Sequence, residues 1–382
     1  MDFRDAPEEA AFRERLRGWL TEQKGKFPTS GDEYWAKAGE WHVALYEAGF
    51  FGTSWPAEYG GQDLPPVYDV IVDEEIAKAG APARPSLGYL VVGLSHHGSE
   101  ELRQRFLPGM INGTERWCQG FSEPGAGSDL ASLTTTAVRD GDEYVITGHK
   151  IWTSYSDVAD WCLVLARTDK DVPKHKGISA FIVESGMPGV TKGKKELKLG
   201  IHASDTREIY YENARIPKDC LFGELNKGYT VALATLGGGR IGIAAQALGI
   251  AQAAVEASVR YANERTQFDR KIGEFDAIRH MLADSMIELE TARLLVYQAA
   301  WLRDQQRPHT KEASLAKWHA SEAATRCANL AIQVHGGYGY MSEYHVERYW
   351  RDARICEIYE GTTEVQKMVV AGQVLKEHAI GG

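Results

Sequence analysis

At 382 residues, 43% hydrophobic and 25% charged, the chain has the composition of an ordinary globular protein and the length for two or three domains. A net charge of -10 without a dense Lys/Arg tract argues against a nucleic-acid surface. Five scattered cysteines, at 118, 162, 220, 327 and 356, show no CxxC or Cys/His spacing, so neither a disulfide framework nor a metal site is expected and a reducing compartment is the simpler setting.

The acidic start, Met1 to Glu9, lacks the apolar core of a signal peptide, and no apolar run reads as long enough to span a bilayer. A soluble cytoplasmic protein is therefore expected. Residues 1–117 read as a helical domain. Phe12, Leu16, Trp19 and Leu20 recur at helical spacing, as do Trp41 and Leu45 within Tyr34 to Ala48. Ser54-Trp-Pro-Ala-Glu-Tyr-Gly-Gly61 is a loop, Val67 to Ala79 and Leu87 to Leu94 are buried helices, and Ser99-Glu-Glu-Leu102 starts another.

Residues 118–225 change period. Thr134 to Val138 and Tyr144 to Thr147 are β-rich runs joined by Arg-Asp-Gly-Asp-Glu, a hairpin signal. Trp161 to Ala166, Ile178 to Val183 and Glu208 to Tyr211 continue the strands, while Lys192-Gly-Lys-Lys195 reads as a solvated loop. Residues 226–382 return to long helices, over Ile241 to Ala262, Ala277 to Asp304, Thr310 to Gln333 and Trp350 to Ala371. The fold class is α+β: an N-terminal helical domain, a small central β-barrel or sandwich, and a C-terminal four-helix bundle.

Several stretches bear on chemistry. In Arg351 to Glu364, Ile355, Ile358 and Tyr359 could line one side of a helix, and Glu360 falls where Gly361, Thr362 and Thr363 break the helical preference. A carboxylate there suits either a solvated surface or a pocket. Glu123-Pro-Gly-Ala-Gly-Ser-Asp129 is compatible with an ordinary turn and with a loop whose backbone approaches a flat or phosphorylated ligand. Gly237-Gly-Gly-Arg-Ile-Gly242 satisfies GxGxxG but lacks a βαβ setting, leaving Arg240 as an anion or amide contact. His335-Gly-Gly-Tyr-Gly-Tyr340 either turns the chain or aims backbone N–H groups at a phosphate.

Five motifs stand in order: Phe121-Ser-Glu-Pro-Gly-Ala-Gly-Ser-Asp-Leu130, Gly148-His-Lys-Ile-Trp-Thr-Ser154, Gly239-Arg-Ile-Gly-Ile-Ala-Ala-Gln-Ala-Leu-Gly249, Gln333-Val-His-Gly-Gly-Tyr-Gly-Tyr340 and Arg351-Asp-Ala-Arg-Ile with Tyr359-Glu-Gly-Thr362. Together they closely resemble the acyl-CoA dehydrogenase family of flavoproteins over almost the whole chain. The resemblance implies a non-covalent FAD shared between subunits of a homotetramer. Gln119, Phe121, Ser122, Gly127 and Ser128 would follow the flavin and a nearby phosphate, and Trp152 and Ser154 would cover the ring. Arg265 and Phe268 would reach a partner subunit's FAD, Gln333, Gly336 and Gly337 its adenosine side, and Thr362 and Glu364 its pyrophosphate.

The same resemblance makes Glu360 the catalytic base and places Ser128, Arg240, Tyr359 and Gly361 at an acyl-CoA substrate. Dehydrogenation would give a trans-2-enoyl-CoA, with electron-transferring flavoprotein as acceptor. The alternatives on this fold are an enoyl-CoA reductase, an oxidase, or a non-catalytic subunit of a mixed assembly. Three positions depart from the family pattern: Gly237 for an Asp, Asp269 for a Gly and Asp276 for a Gln. The first bears on substrate binding and the other two on FAD retention.

Overall fold

The computed structural model describes residues 5–29, 32–85, 87–202 and 204–378. The first region contains α1 (Pro7–Gln23), α2 (Asp32–Glu47), α3 (Val67–Ala79), α4 (Gly88–His97) and α5 (Glu100–Asn112). The expected helix start at Ser99 is a true cap: its hydroxyl accepts from the Leu102 N–H at 3.3 Å, satisfying one of the open donors of the first turn. Phe12, Leu16, Trp41, Leu45, Phe50 and Phe51 fill the core between these helices. Buried Arg13 ties α1 to α3 through Glu74 and Glu75, at 2.9 and 2.8 Å.

The middle region is built from β1 (Trp117–Gly120), β2 (Thr136–Asp140), β3 (Glu143–Ser154), β4 (Trp161–Arg167), β5 (Ile178–Glu184), β6 (Val190–Lys195), β7 (Thr206–Pro217) and β8 (Leu221–Phe222). Strand order is β6-β7-β3-β2-β4-β5-β8, with β1 added parallel to β4. Its two halves meet at one pair, Thr136 with Arg167. Residues from both halves, including Tyr144, Ile146, Val164, Phe181 and Tyr211, share one core, so the sheet closes over itself in a sandwich-like way. The hairpin expected around Arg139 to Glu143 is present. Lys192 to Lys195 is not a loop: it lies in edge strand β6, where lysines also discourage pairing with another chain.

The last region holds α6 (Gly228–Glu264), the hairpin strands β9 (Thr266–Gln267) and β10 (Arg270–Lys271), α7 (Asp276–Asp304), α8 (Thr310–His335), α9 (Val346–Ala353) and α10 (Thr363–Glu377). Its core is dominated by alanine, among them Ala244, Ala251, Ala292, Ala316, Ala324 and Ala331, which lets α6, α7 and α8 pack closely. Contrary to expectation, one described helix, α6, is long and apolar enough to cross a membrane. Here it runs through the bundle, against α3, α4, α7 and α8. The segment expected as one helix from Trp350 to Ala371 is two: α9 ends at Ala353, a 3-10 turn covers Arg354–Glu357, and α10 begins at Thr363.

Candidate active site

The break between α9 and α10 shapes the site. Glu360 has φ +53° and Gly361 φ +92°. Left-handed backbone at a non-glycine residue costs on the order of 1–3 kcal/mol and persists only when its surroundings hold it. The surroundings here do so. Gln366 Nε2 donates to the Gly361 carbonyl at 3.0 Å and to the Glu360 carbonyl at 3.4 Å, and Lys317 Nζ donates to the Gly361 carbonyl at 2.7 Å. A side chain at position 361 would begin 2.6 Å from Gln366 Nε2 and would have to adopt φ +92°, so it would be strained and would displace the Gln366 amide. Thr362 then caps α10, accepting from the Val365 N–H at 3.3 Å, and Glu364 lies exposed in the first turn.

The turn aims the Glu360 carboxylate between β1 and α6. Oε1 accepts from Gln119 Nε2 at 3.3 Å, whereas Oε2 is enclosed and has no hydrogen-bond partner among the described residues. The Cβ position of Gly239 lies 3.2 Å from Oε2, so a bare helix backbone makes room for the carboxylate. Burial raises the Glu360 pKa; Gln119, Lys317 and Arg240 oppose that rise. Arg240 is itself depressed by burial and supported by Glu360; among the described residues its Nε lacks an acceptor, and Nη1 reaches Ser314 Oγ at 3.4 Å. The Tyr359 hydroxyl is engaged by Gln246 at 2.7 Å. Among the described residues nothing accepts from the Glu360 backbone N–H.

The loop after β1 continues away from Gln119 along this pocket. Phe121 is buried, Ser122 accepts through its carbonyl from the Ile151 N–H at 2.9 Å, and Gly127 and Ser128 are exposed. Glu123 anchors the loop inward: it pairs with buried Lys150 at 2.8 Å and accepts from the Thr134 and Thr135 N–H groups at 2.6 and 2.9 Å. Beside it, β3 is irregular between Lys150 and Thr153, and Trp152 turns outward with φ +55° and 63% exposure. Ser154 Oγ lies 3.0 Å from Thr206 Oγ1, and the buried Thr153 hydroxyl has no partner among the described residues.

A second group gathers elsewhere. Arg265, Gln267, Gly336, Gly337 and Tyr338 line a pocket of about 450 Å³, floored by Tyr261, Ile272 and His335. Gly336 has φ +61° and ψ -136°, a conformation open essentially to glycine alone. Phe268 and Asp269 form the two-residue turn between β9 and β10, both at positive φ, which asparagine, aspartate and glycine tolerate best. Phe268 is 88% exposed, and Gln333 is exposed at the end of α8. Lys317 and Gly336 are 19 residues apart along this helical segment, roughly 28 Å at the α-helical rise. The structure thus joins Glu360, Gln119, Arg240, Tyr359 and Gly361, and keeps Arg265, Phe268, Gln333, Gly336 and Gly337 at the other end of the bundle.

Asp276 sits at the first position of α7, where a negative charge is favoured, 3.5 Å from Arg279. Gly237 lies within α6, and its surroundings fall outside what is described. Sequence reasoning passed over Lys317, Gln366, Gln246 and the Glu123–Lys150 pair. Lys317 left one signal: a lysine on a face otherwise occupied by Ala313, Ala316, Ala320 and Ala324.

A carboxylate carried on a strained turn, with one oxygen enclosed and its pKa pushed upward, is the equipment of a general-base enzyme. Three family models match in succession: the acyl-CoA dehydrogenase N-terminal domain over residues 6–114, the middle domain over 118–214 and the C-terminal domain over 226–375. The chain belongs to the acyl-CoA dehydrogenase family, flavoprotein oxidoreductases that use FAD. It is 45% identical to the mitochondrial short-chain specific acyl-CoA dehydrogenase of Bos taurus over 87% of this chain and 81% of that one. It is 41% identical to the caffeyl-CoA reductase-Etf complex subunit CarC of Acetobacterium woodii over 93% and 92%. The solved butyryl-CoA dehydrogenase from Megasphaera elsdenii superposes with a TM-score of 0.87 at 36% identity, covering 98% of this chain and 100% of that one. The donor set fits FAD: Gln119 Oε1 beside the carboxylate and Thr153 Oγ1 on β3 are buried without a partner among the described residues, and the pocket of about 450 Å³ at the other end brings together an arginine, glycines and aromatic walls.

Proposed function

We propose that the protein dehydrogenates an acyl-CoA thioester between Cα and Cβ to a trans-2-enoyl-CoA, with Glu360 as the base that takes the α-proton. The observation carrying this reading is the enclosed, unpartnered Oε2 of a glutamate held in left-handed backbone. FAD, when bound, supplies the hydride acceptor at its N5. Burial brings Glu360 towards working pH, where a base is both ionised and strong enough to act. Its own N–H, free of any acceptor among the described residues, would donate to the thioester oxygen as negative charge develops there. Arg240, Ser128, Gly361 and the ring of Tyr359 would bound the substrate; the Tyr359 hydroxyl is already committed to Gln246.

Gln119, Phe121, Ser122, Gly127 and Ser128 would hold the flavin end of FAD, with Trp152 and Ser154 over the ring and Thr362 and Glu364 near the pyrophosphate. The separation of roughly 28 Å along α8 supports assigning Arg265, Phe268, Gln333, Gly336 and Gly337 to a neighbouring subunit's FAD; the assembly proposed is a homotetramer and its setting the cytoplasm. Domain boundaries near residues 117 and 225 remain part of this reading. Electron-transferring flavoprotein is the proposed acceptor, supported by the Etf-complex relative.

Glu360→Gln should retain FAD and lose dehydrogenation by about 10³-fold or more, the range lost with a general base. A variant that turns over normally would remove Glu360 from the mechanism. The relative named as a caffeyl-CoA reductase subunit favours one second reading, in which the protonated Glu360 returns its proton to Cα and the reaction runs as an enoyl-CoA reduction. Anaerobic flavin bleaching by a panel of acyl-CoA thioesters, set beside reoxidation by the matching enoyl-CoA esters, decides the direction.

A further inference from the structure

We propose that Lys317 and Gln366 form a clamp that positions Glu360, and that the Lys317 ammonium sets the pH range over which the Glu360 carboxylate works. The inference rests on Glu360 being the base. Both clamp residues are fully buried, Lys317 on α8 and Gln366 on α10, and both donate to carbonyls of the 360–361 turn. A buried ammonium is costly unless paired, and among the described residues Lys317 has no carboxylate in direct contact. Its one side-chain hydrogen bond among the described residues is to the Gly361 carbonyl, immediately after the base. What the charge adds is a field at Glu360.

The charged and titratable groups around Lys317 are Cys356 and Glu357 on the 3-10 turn, Glu360 beyond it, and Arg240 on α6. Glu357 is engaged by Arg354 at 2.9 Å and by Thr325 at 2.5 Å, and Cys356 is pushed up to about 12 by burial, so it is a neutral thiol. Tyr359, beside Glu360, is raised well above its usual value by burial and is neutral as well. Glu360 is therefore the carboxylate in this group without a salt-bridge contact. Burial lowers Lys317 to about 8, while Cys356, Glu360 and Glu357 support its charge and Arg240 opposes it. It is still protonated at neutral pH. A positive charge there favours ionised Glu360, offsetting part of the burial that raises the carboxylate.

The test compares charge with hydrogen bonding in the FAD-loaded enzyme. Lys317→Gln keeps a donor but removes the charge. Without the cation Glu360 binds its proton more tightly, so the low-pH limb of the rate profile should move up by about one pH unit. The rate should recover at high pH, and FAD content should not change. Lys317→Arg should keep the wild-type limb. A Lys317→Gln limb that superimposes on wild type would overturn the electrostatic role. If that variant does not fold, Gln366→Met still tests the clamp: the plateau rate should fall about tenfold with the limb unmoved, and an unchanged rate refutes positioning. Glu360→Gln in the same assay separates the layers, since retained pH-dependent turnover there would indict the base assignment and not the clamp.

Discussion

Lys150→Met tests how the loop after β1 is held. Lys150 is 0% and Glu123 4% exposed at the side chain, with Nζ 2.8 Å from Oε1 and 3.0 Å from the Phe121 carbonyl. Removing one partner of a buried ion pair costs about 3–5 kcal/mol, because the remaining charge is left without its counter-ion. Glu123 would keep three donors, the Thr134 and Thr135 N–H groups and the Thr134 hydroxyl at 2.6, 2.9 and 2.7 Å. Those place the expected loss at the lower end, about 3 kcal/mol. Because the loop carries Phe121, Ser122, Gly127 and Ser128, FAD should also bind more weakly. The assay is urea unfolding of the holoenzyme followed by flavin release, for Lys150→Met, Glu123→Gln and the double variant. The double variant should lose less than the two singles together, since it strands no charge. The pH dependence has a definite sign. Burial raises Glu123, but Lys150 and the hydrogen bonds overcome it and hold the carboxyl at about 2, below its ordinary 4.5. Its contribution is present above pH 4.5 and disappears as pH falls through about 2. A Lys150→Met protein that unfolds with wild type, or a strictly additive double variant, would refute the reasoning.

Gly239→Ala places a methyl 3.2 Å from Glu360 Oε2, so the dehydrogenation rate should fall about tenfold with FAD retained; an unchanged rate in stopped-flow bleaching would mean the carboxylate has room to move aside. Gly336→Ala meets no atom within 4 Å but forces a side chain into a backbone conformation closed to it, at about 1–3 kcal/mol. Weaker FAD retention on dilution is expected, with thioester binding at Glu360 unaltered; equal retention would detach this glycine from the cofactor.

What could be read from the sequence follows the range of the interactions concerned. The β2–β3 hairpin was legible because its turn, Asp140 to Glu143, is encoded locally, and α5 because Ser99 caps it three residues from its donor. β1 was not: four residues carry too little alternation, and its partner β4 begins more than forty positions later. β6 was hidden by its charge, since an edge strand rich in lysine looks solvated whether or not it pairs. The functional turn shows the same divide. Gly361 and Thr362 announced a break after Tyr359, but the reason the break is strained lies in Lys317 and Gln366, which are remote from it or on the helix beyond. Single-residue propensity could mark where the helix fails. It could not reveal that the failing turn is pinned from two directions, and that pinning is what separates a carboxylate with an enclosed oxygen from a solvated glutamate at a helix end.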